Sequence, residues 1–181
     1  MCFGGCCERL LHERQRVEGG RGHTVSTHDM VVPLLGVPPA TEAVARTAKH
    51  GVVVRRAQTY EREAVVRFVR QRWPDWADAV DCGFSYVPCR IIVALEAGTP
   101  VGFAAYDVDY LGLFGPTGVD ADRQGRGIGA ALLLRCLNAM RESGYLYAII
   151  GAVGPAEFYS RVAGAMSLPS DWPSYTDPDL S

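Results

Sequence analysis

Apolar and polar positions along the chain fall into two regimes. Residues 1–29 are polar, carry Gly19, Gly20 and Gly22, and have no apolar periodicity, which predicts a disordered or loose N-terminal arm. Residues 30–50 read as an N-terminal extension in which order begins near Val31. From Gly51 the pattern becomes regular, and residues 51–181 are expected to form the main domain. Val52–Val54 is a β-branched strand, and Thr59 opens a helix whose Val65, Phe68, Val69 and Trp73 share one face. Pro74 ends that helix, and a helical or looped stretch, Trp76–Phe84, follows. Arg90–Leu95 and Val101–Val108 read as a hairpin turning at Gly98, and Leu111–Val119 as a further strand. Ile128, Ala131, Leu132, Cys136, Ala139 and Met140 recur at helical spacing up to Gly144. Tyr145–Val153 is the last strong strand, and Pro155 opens a short helix through Val162. The order is β-α-α-β-β-β-α-β-α with a short C-terminal tail, an α/β chain with a sheet of mixed direction.

Composition narrows the function classes. At 181 residues the chain holds one ordinary domain, and 48% hydrophobic with 21% charged residues is a globular balance. A formal net charge of −2 argues against nucleic-acid binding by bulk positive potential. No apolar run reaches the ~18–20 residues that span a bilayer. Met1–Arg16 lacks the apolar centre of a secretory leader, so a cytoplasmic location is expected. In that compartment the six cysteines are expected as free thiols, and Cys2, Cys6 and Cys7 followed by His12 lack zinc-ligand spacing, so no metal is expected. Arginine supplies 17 of the 18 basic residues, Lys49 being the exception; that reads as coding bias rather than as chemistry.

The strongest chemical signal is Gln124-Gly125-Arg126-Gly127-Ile128-Gly129-Ala130, placed between a strand and a helix. Gly125-x-Gly127-x-x-Ala130 also satisfies a dinucleotide fingerprint, but no acidic residue ends the following strand and too little chain remains for further βαβ units. A Walker-type loop is excluded because no Gly-Lys-Ser/Thr follows. What remains is a phosphate cradle: small residues let the backbone approach an anion, and amides at a helix N-terminus add favourable potential. Arg123 and Arg126 add charge beside it.

The run Val119-Asp120-Ala121-Asp122-Arg123-Gln124-Gly125-Arg126-Gly127-Ile128-Gly129-Ala130-Ala131-Leu132 resembles motif A of the GNAT superfamily of N-acetyltransferases, whose core is Arg/Gln-x-x-Gly-x-Gly/Ala. Glu157–Arg161 followed by Gly164 is similar to that superfamily's tyrosine-bearing helix, and the resemblance spans roughly Val52–Ala165. Phe114–Val119 and Ala148–Gly151 look like a bacterial subgroup of unassigned acceptor. The resemblance implies a mostly antiparallel central sheet flanked by helices, and acetyl-CoA as co-substrate. Its partner would be a small-molecule or peptide amine. There are departures. One extra residue separates Tyr159 from Gly164, and the Pro-rich tail after Ala165 is meagre for the usual final hairpin. The terminal strands are thus expected to be short, or completed by another subunit as in a homodimer.

By the same resemblance, the acetyl group passes to the amine by direct attack in a ternary complex. Thr117, Val119, Gln124, Gly125, Arg126, Gly127, Ile128, Gly129 and Ala130 bind the donor. The Val119 amide is the expected partner of the thioester oxygen. Tyr159 is the general acid for the departing thiolate, the alternative being that it only packs. Asp109 is a candidate base on the strand after Tyr106, with deprotonation by water equally open. Trp73, Asp75, Trp76, Asp78 and Asp81 read either as an acceptor wall for a cationic amine or as a solvated face with its indoles in the core. Cys82, Cys89 and Cys136 lack local activation for an acyl-cysteine route. A module that binds acyl-CoA without turnover is the competing function.

Overall fold

The computed structural model describes residues 29–169 and Trp172; the arm expected over residues 1–29 lies outside these residues apart from Asp29. Seven strands form one sheet: β1 (Met30–Pro33), β2 (Val52–Arg56), β3 (Ile91–Glu96), β4 (Thr99–Tyr106), β5 (Leu113–Val119), β6 (Tyr147–Ile150) and β7 (Met166–Ser167). Their spatial order is β2-β3-β4-β5-β6-β1-β7. Only β5 and β6 run parallel, the other pairings being antiparallel. The helices are α1 (Thr41–Ala48), α2 (Arg62–Arg72), α3 (Ala77–Gly83), α4 (Ile128–Glu142) and α5 (Ala156–Ala163). The mixed, mostly antiparallel α/β architecture read from the sequence is the one observed.

Each central strand sorts its side chains between two cores by period-two alternation. Ile91, Val93 and Leu95 of β3 join Phe103 and Ala105 of β4 beneath α2 and α3. Ile92, Ala94, Ala104 and Tyr106 face the opposite core under α4. With both faces covered, β3 reads as an unbroken apolar run instead of an alternating one. Helix α4 buries residues nearly all round, Leu133, Leu134 and Leu137 as well as the single face visible in the spacing. A second layer explains it. Arg141 donates to the Val37 carbonyl at 2.9 Å and Asn138 to that of Pro38 at 3.0 Å, tying the segment before α1 over the outer side of α4.

Residues 30–50 therefore do not stand apart from the folded unit as an extension. β1 lies inside the sheet, pairing Met30 with Ile150 on one side and with Ser167 on the other. It lies between β6 and β7. The side chain of Asp29 accepts from the Ala152 amide at 3.0 Å, and its carbonyl from the Leu168 amide at 2.9 Å, pinning the entry of β1 to both neighbours.

Candidate active site

Strands β5 and β6 pair only at Leu113–Ile149 and Phe114–Ile150 and then part. The parting has a local cause. Between the pairs Phe114–Tyr106 and Thr117–Ala104, two residues of β5, Gly115 and Pro116, oppose one of β4, Ala105, a bulge that turns β5 away. Past Phe114, the β5 edge facing β6 lacks a strand partner. The Asp120 amide donates to the Val101 carbonyl on the β4 side, and amides alternate along a strand, so those of Val119 and Thr117 face the gap. Below, the Trp73 indole supports the strand: a Cβ on Gly118 would meet its ring at 2.7 Å.

A cleft of about 1060 Å³ opens from this gap. Thr117, Val119, Gln124, Gly125, Arg126, Gly127, Ile128, Gly129, Ala130 and Tyr159 all line it, so the residues expected to hold a donor are brought together with the expected acid. Gly125 and Gly127 both have φ of +77°, and nothing lies within 4 Å of where their Cβ atoms would stand. This is an open concavity shaped by left-handed backbone at the N-terminus of the 15-residue α4, where free amides and the helix dipole attract an anion. Arg123 and Arg126 flank it, both held by the Glu96 carboxylate at 2.7 and 3.1 Å. No Asp or Glu is among the described residues that line the cleft.

At the inner end, the Tyr159 ring packs edge-on against Phe114, with centroids 6.3 Å apart, and against Phe158 at 5.1 Å. Burial raises its phenol above the ordinary tyrosine value, so it stays protonated and can donate. Val119 sits at the opposite end, 4.0 Å from a Cβ placed on Gly129. Four residues of strand separate it from Phe114, a span of at most about 17 Å.

Other expected residues lie elsewhere. Asp109 is not among the cleft residues; β4 ends at Tyr106, and Asp107 breaks the alternation with φ of +54°. Asp107 is buried, accepting from Arg90 at 2.9 Å and from the Gly112 amide at 2.7 Å, so it closes the β4–β5 turn. The acceptor wall expected at α2–α3 is a packed aromatic cluster: Trp73 and Trp76 stack at 5.8 Å and pack on Phe103. Two of its three carboxylates face arginines, Asp81 with Arg62 at 2.7 Å and Asp78 with Arg70 at 3.8 Å, while Asp75 is exposed. Burial pushes the Cys89 and Cys136 thiols upward, which leaves them poor nucleophiles. Cys2, Cys6, Cys7 and His12 lie outside the described residues; among the described ones no cluster of metal-ligating side chains occurs. No helix among the described residues is long and apolar enough to cross a membrane. Missed from sequence were Arg46, Lys49 and His50 of the α1 region and Arg161 of α5, which also line the cleft.

Residues 55–164 match the family model described as the acetyltransferase (GNAT) family. No curated protein matches the chain. Among solved structures, a GCN5-related N-acetyltransferase from Sphaerobacter thermophilus is similar at 21% identity and TM-score 0.59, over 78% of this chain and 48% of that one. A GCN5-related glucosamine N-acetyltransferase region in a fungal multi-domain GH3 beta-N-acetylglucosaminidase is similar at 19% identity and TM-score 0.65, over 78% and 19%. A GNAT family acetyltransferase from Brucella melitensis in complex with acetyl-CoA is similar at 21% identity and TM-score 0.50, over 71% and 93%. The chain spans less than half the length of the first two, and at these identities the likeness is one of fold.

Proposed function

The chain belongs to the GNAT acetyltransferase family, and from that premise we propose that it transfers an acetyl group from acetyl-CoA to an amine by direct attack in a ternary complex. One observation carries the reading: a single cleft joins an anion cradle at Gly125–Gly129 to a buried, protonated phenol at Tyr159. The cradle fits the pyrophosphate, because the space a Cβ would fill is open at Gly125 and Gly127. Pantetheine runs along the unpaired edge of β5 as an added strand, meeting the outward amides of Val119 and Thr117. Val119 lies beside Gly129, so its amide serves the phosphate end of that arm, and the thioester oxygen falls to the Thr117 amide nearer Phe114.

The amine nitrogen forms its bond to the acetyl carbon, the carbon–sulfur bond breaks, Tyr159 supplies the proton that leaves coenzyme A as a thiol, and solvent reprotonates the phenolate. The attacking amine loses its proton to solvent, since the described residues lining the cleft include no carboxylate. That same observation favours a second reading, a domain that binds acyl-CoA without turnover. Thiol release from acetyl-CoA, followed colorimetrically over a panel of small-molecule and peptide amines, separates them. Acceptor-dependent release supports the transferase; tight coenzyme A binding with no acceptor-dependent release refutes it.

A further inference from the structure

The cleft continues past the glycine loop. Its floor runs from Gly129 over Ala130, Leu133 and Leu134 of α4 and ends against Arg46, Lys49 and His50. At 1.5 Å of rise per residue, Leu133 and Leu134 lie about 6–8 Å beyond Gly129. Val52 is the register partner of Glu96, whose carboxylate holds Arg126, so the chain leaving α1 is anchored beside the loop itself.

These cations differ in their partners from those of α2. Around α2, Arg62, Arg67 and Arg70 each face a carboxylate, of Asp81, Glu63 and Asp78 respectively. In the cleft, Arg46 meets only Glu42, at 3.7 Å across one exposed turn. Among the described residues, Lys49 and His50 have no side-chain hydrogen bond or ion pair, and no carboxylate joins them in the lining. In a chain of net charge −2 this is a local excess of positive charge, in the same cleft as the glycine loop and the apolar floor beyond it.

Resting on the reading of the cleft as a coenzyme A site, we propose that Arg46, Lys49 and His50 recognise the ribose 3′-phosphate, so that the chain selects coenzyme A over its 3′-dephospho form. The adenosine ribose lies on Ala130, Leu133 and Leu134, and its phosphate turns toward α1. The wall is supplied by the segment that also completes the sheet through β1, some 80 residues before the loop in sequence. Donor selectivity is thereby attached to a part of the chain separate from the glycine loop.

The test titrates the full chain with coenzyme A and with 3′-dephospho-coenzyme A in a calorimeter. Wild type is expected to prefer coenzyme A by about tenfold, the sum of two partly exposed charge pairs. Arg46→Gln/Lys49→Gln should reduce the preference to threefold or less while leaving the dephospho affinity within twofold, and Lys49→Arg should retain it. Both side chains are exposed, so a thermal melt of the double variant should match wild type. A double variant with the wild-type preference overturns the assignment, as does a wild type that binds both compounds equally. A wild type that binds neither overturns the coenzyme A reading beneath it.

Discussion

Placing a carboxylate at Gly127 separates what the loop needs for folding from what it needs for binding. Gly127 is the N-cap of α4 with φ +77° and ψ +3°, and no atom lies within 4 Å of a Cβ built there. A side chain therefore meets no steric barrier in the free protein, only left-handed strain. Asn and Asp tolerate that conformation best, at a cost of about 1 kcal/mol or less. They are also nearly isosteric, so Gly127→Asn carries the strain and bulk while Gly127→Asp adds one charge. At roughly 5 Å from a phosphate and an effective dielectric of ~20, that charge is worth about 3 kcal/mol of repulsion. The site is exposed and the carboxylate can turn away, so about 2 kcal/mol is the working figure, roughly 30-fold in Kd. In the absence of ligand, the acidic group at a helix N-terminus is favourable by ~0.3–1 kcal/mol. Gly127→Asp should hence melt no lower than Gly127→Asn yet bind coenzyme A at least 30-fold more weakly by calorimetry. Affinities within threefold of each other would refute the placement of the pyrophosphate on this loop.

Four further outcomes follow from the same geometry. Tyr159→Phe should lower kcat by about 100-fold with coenzyme A affinity unchanged within threefold; equal turnover would leave Tyr159 a packing residue. Because burial raises the Tyr159 phenol above its unfolded value of ~10, its contribution to stability is fully present below pH ~10 and is lost as pH rises through the folded value. The wild-type melting temperature should therefore fall more steeply above pH 10 than that of Tyr159→Phe, and parallel curves would contradict the assignment. Gly118→Ala drives a methyl to within 2.7–2.9 Å of the rigid Trp73 ring, and should cost about 1–3 kcal/mol in urea unfolding; an unchanged midpoint would show that the indole moves freely. Glu96→Gln releases Arg123 and Arg126 toward the cradle and removes a nearby negative charge, so coenzyme A should bind about three- to tenfold tighter. Weaker binding would mean that Glu96 holds the two guanidinium groups in their working positions.

The glycine loop, the helix it opens and the tyrosine beyond β6 could be read from the sequence because their requirements are local. A left-handed turn at a helix start demands small residues wherever it occurs, so Gly125, Gly127 and Gly129 show their purpose through spacing alone. The 3.6-residue period of α4 and the apolar run of β3 likewise state which faces are covered, though not by what. Leu133, Leu134 and Leu137 are buried outside the face read from the spacing, and nothing in that spacing points back to residues 34–48. The identity of β1 was hidden for a related reason. Four residues are too short for a pattern, and their partners lie about 120 positions away at Ala148–Ile150, a pairing fixed by the vacancy between β6 and β7. Asp109 does not line the cleft, because strand alternation ends at Tyr106, where Asp107 turns to bind Arg90 and Gly112. The indoles of Trp73 and Trp76 went inward because Gly118 and Phe103 left them a surface to fill. Local backbone demands thus determined the cradle from sequence alone. Tertiary packing decided which distant segment walls it, because charge and apolar area find their partners through space and not along the chain.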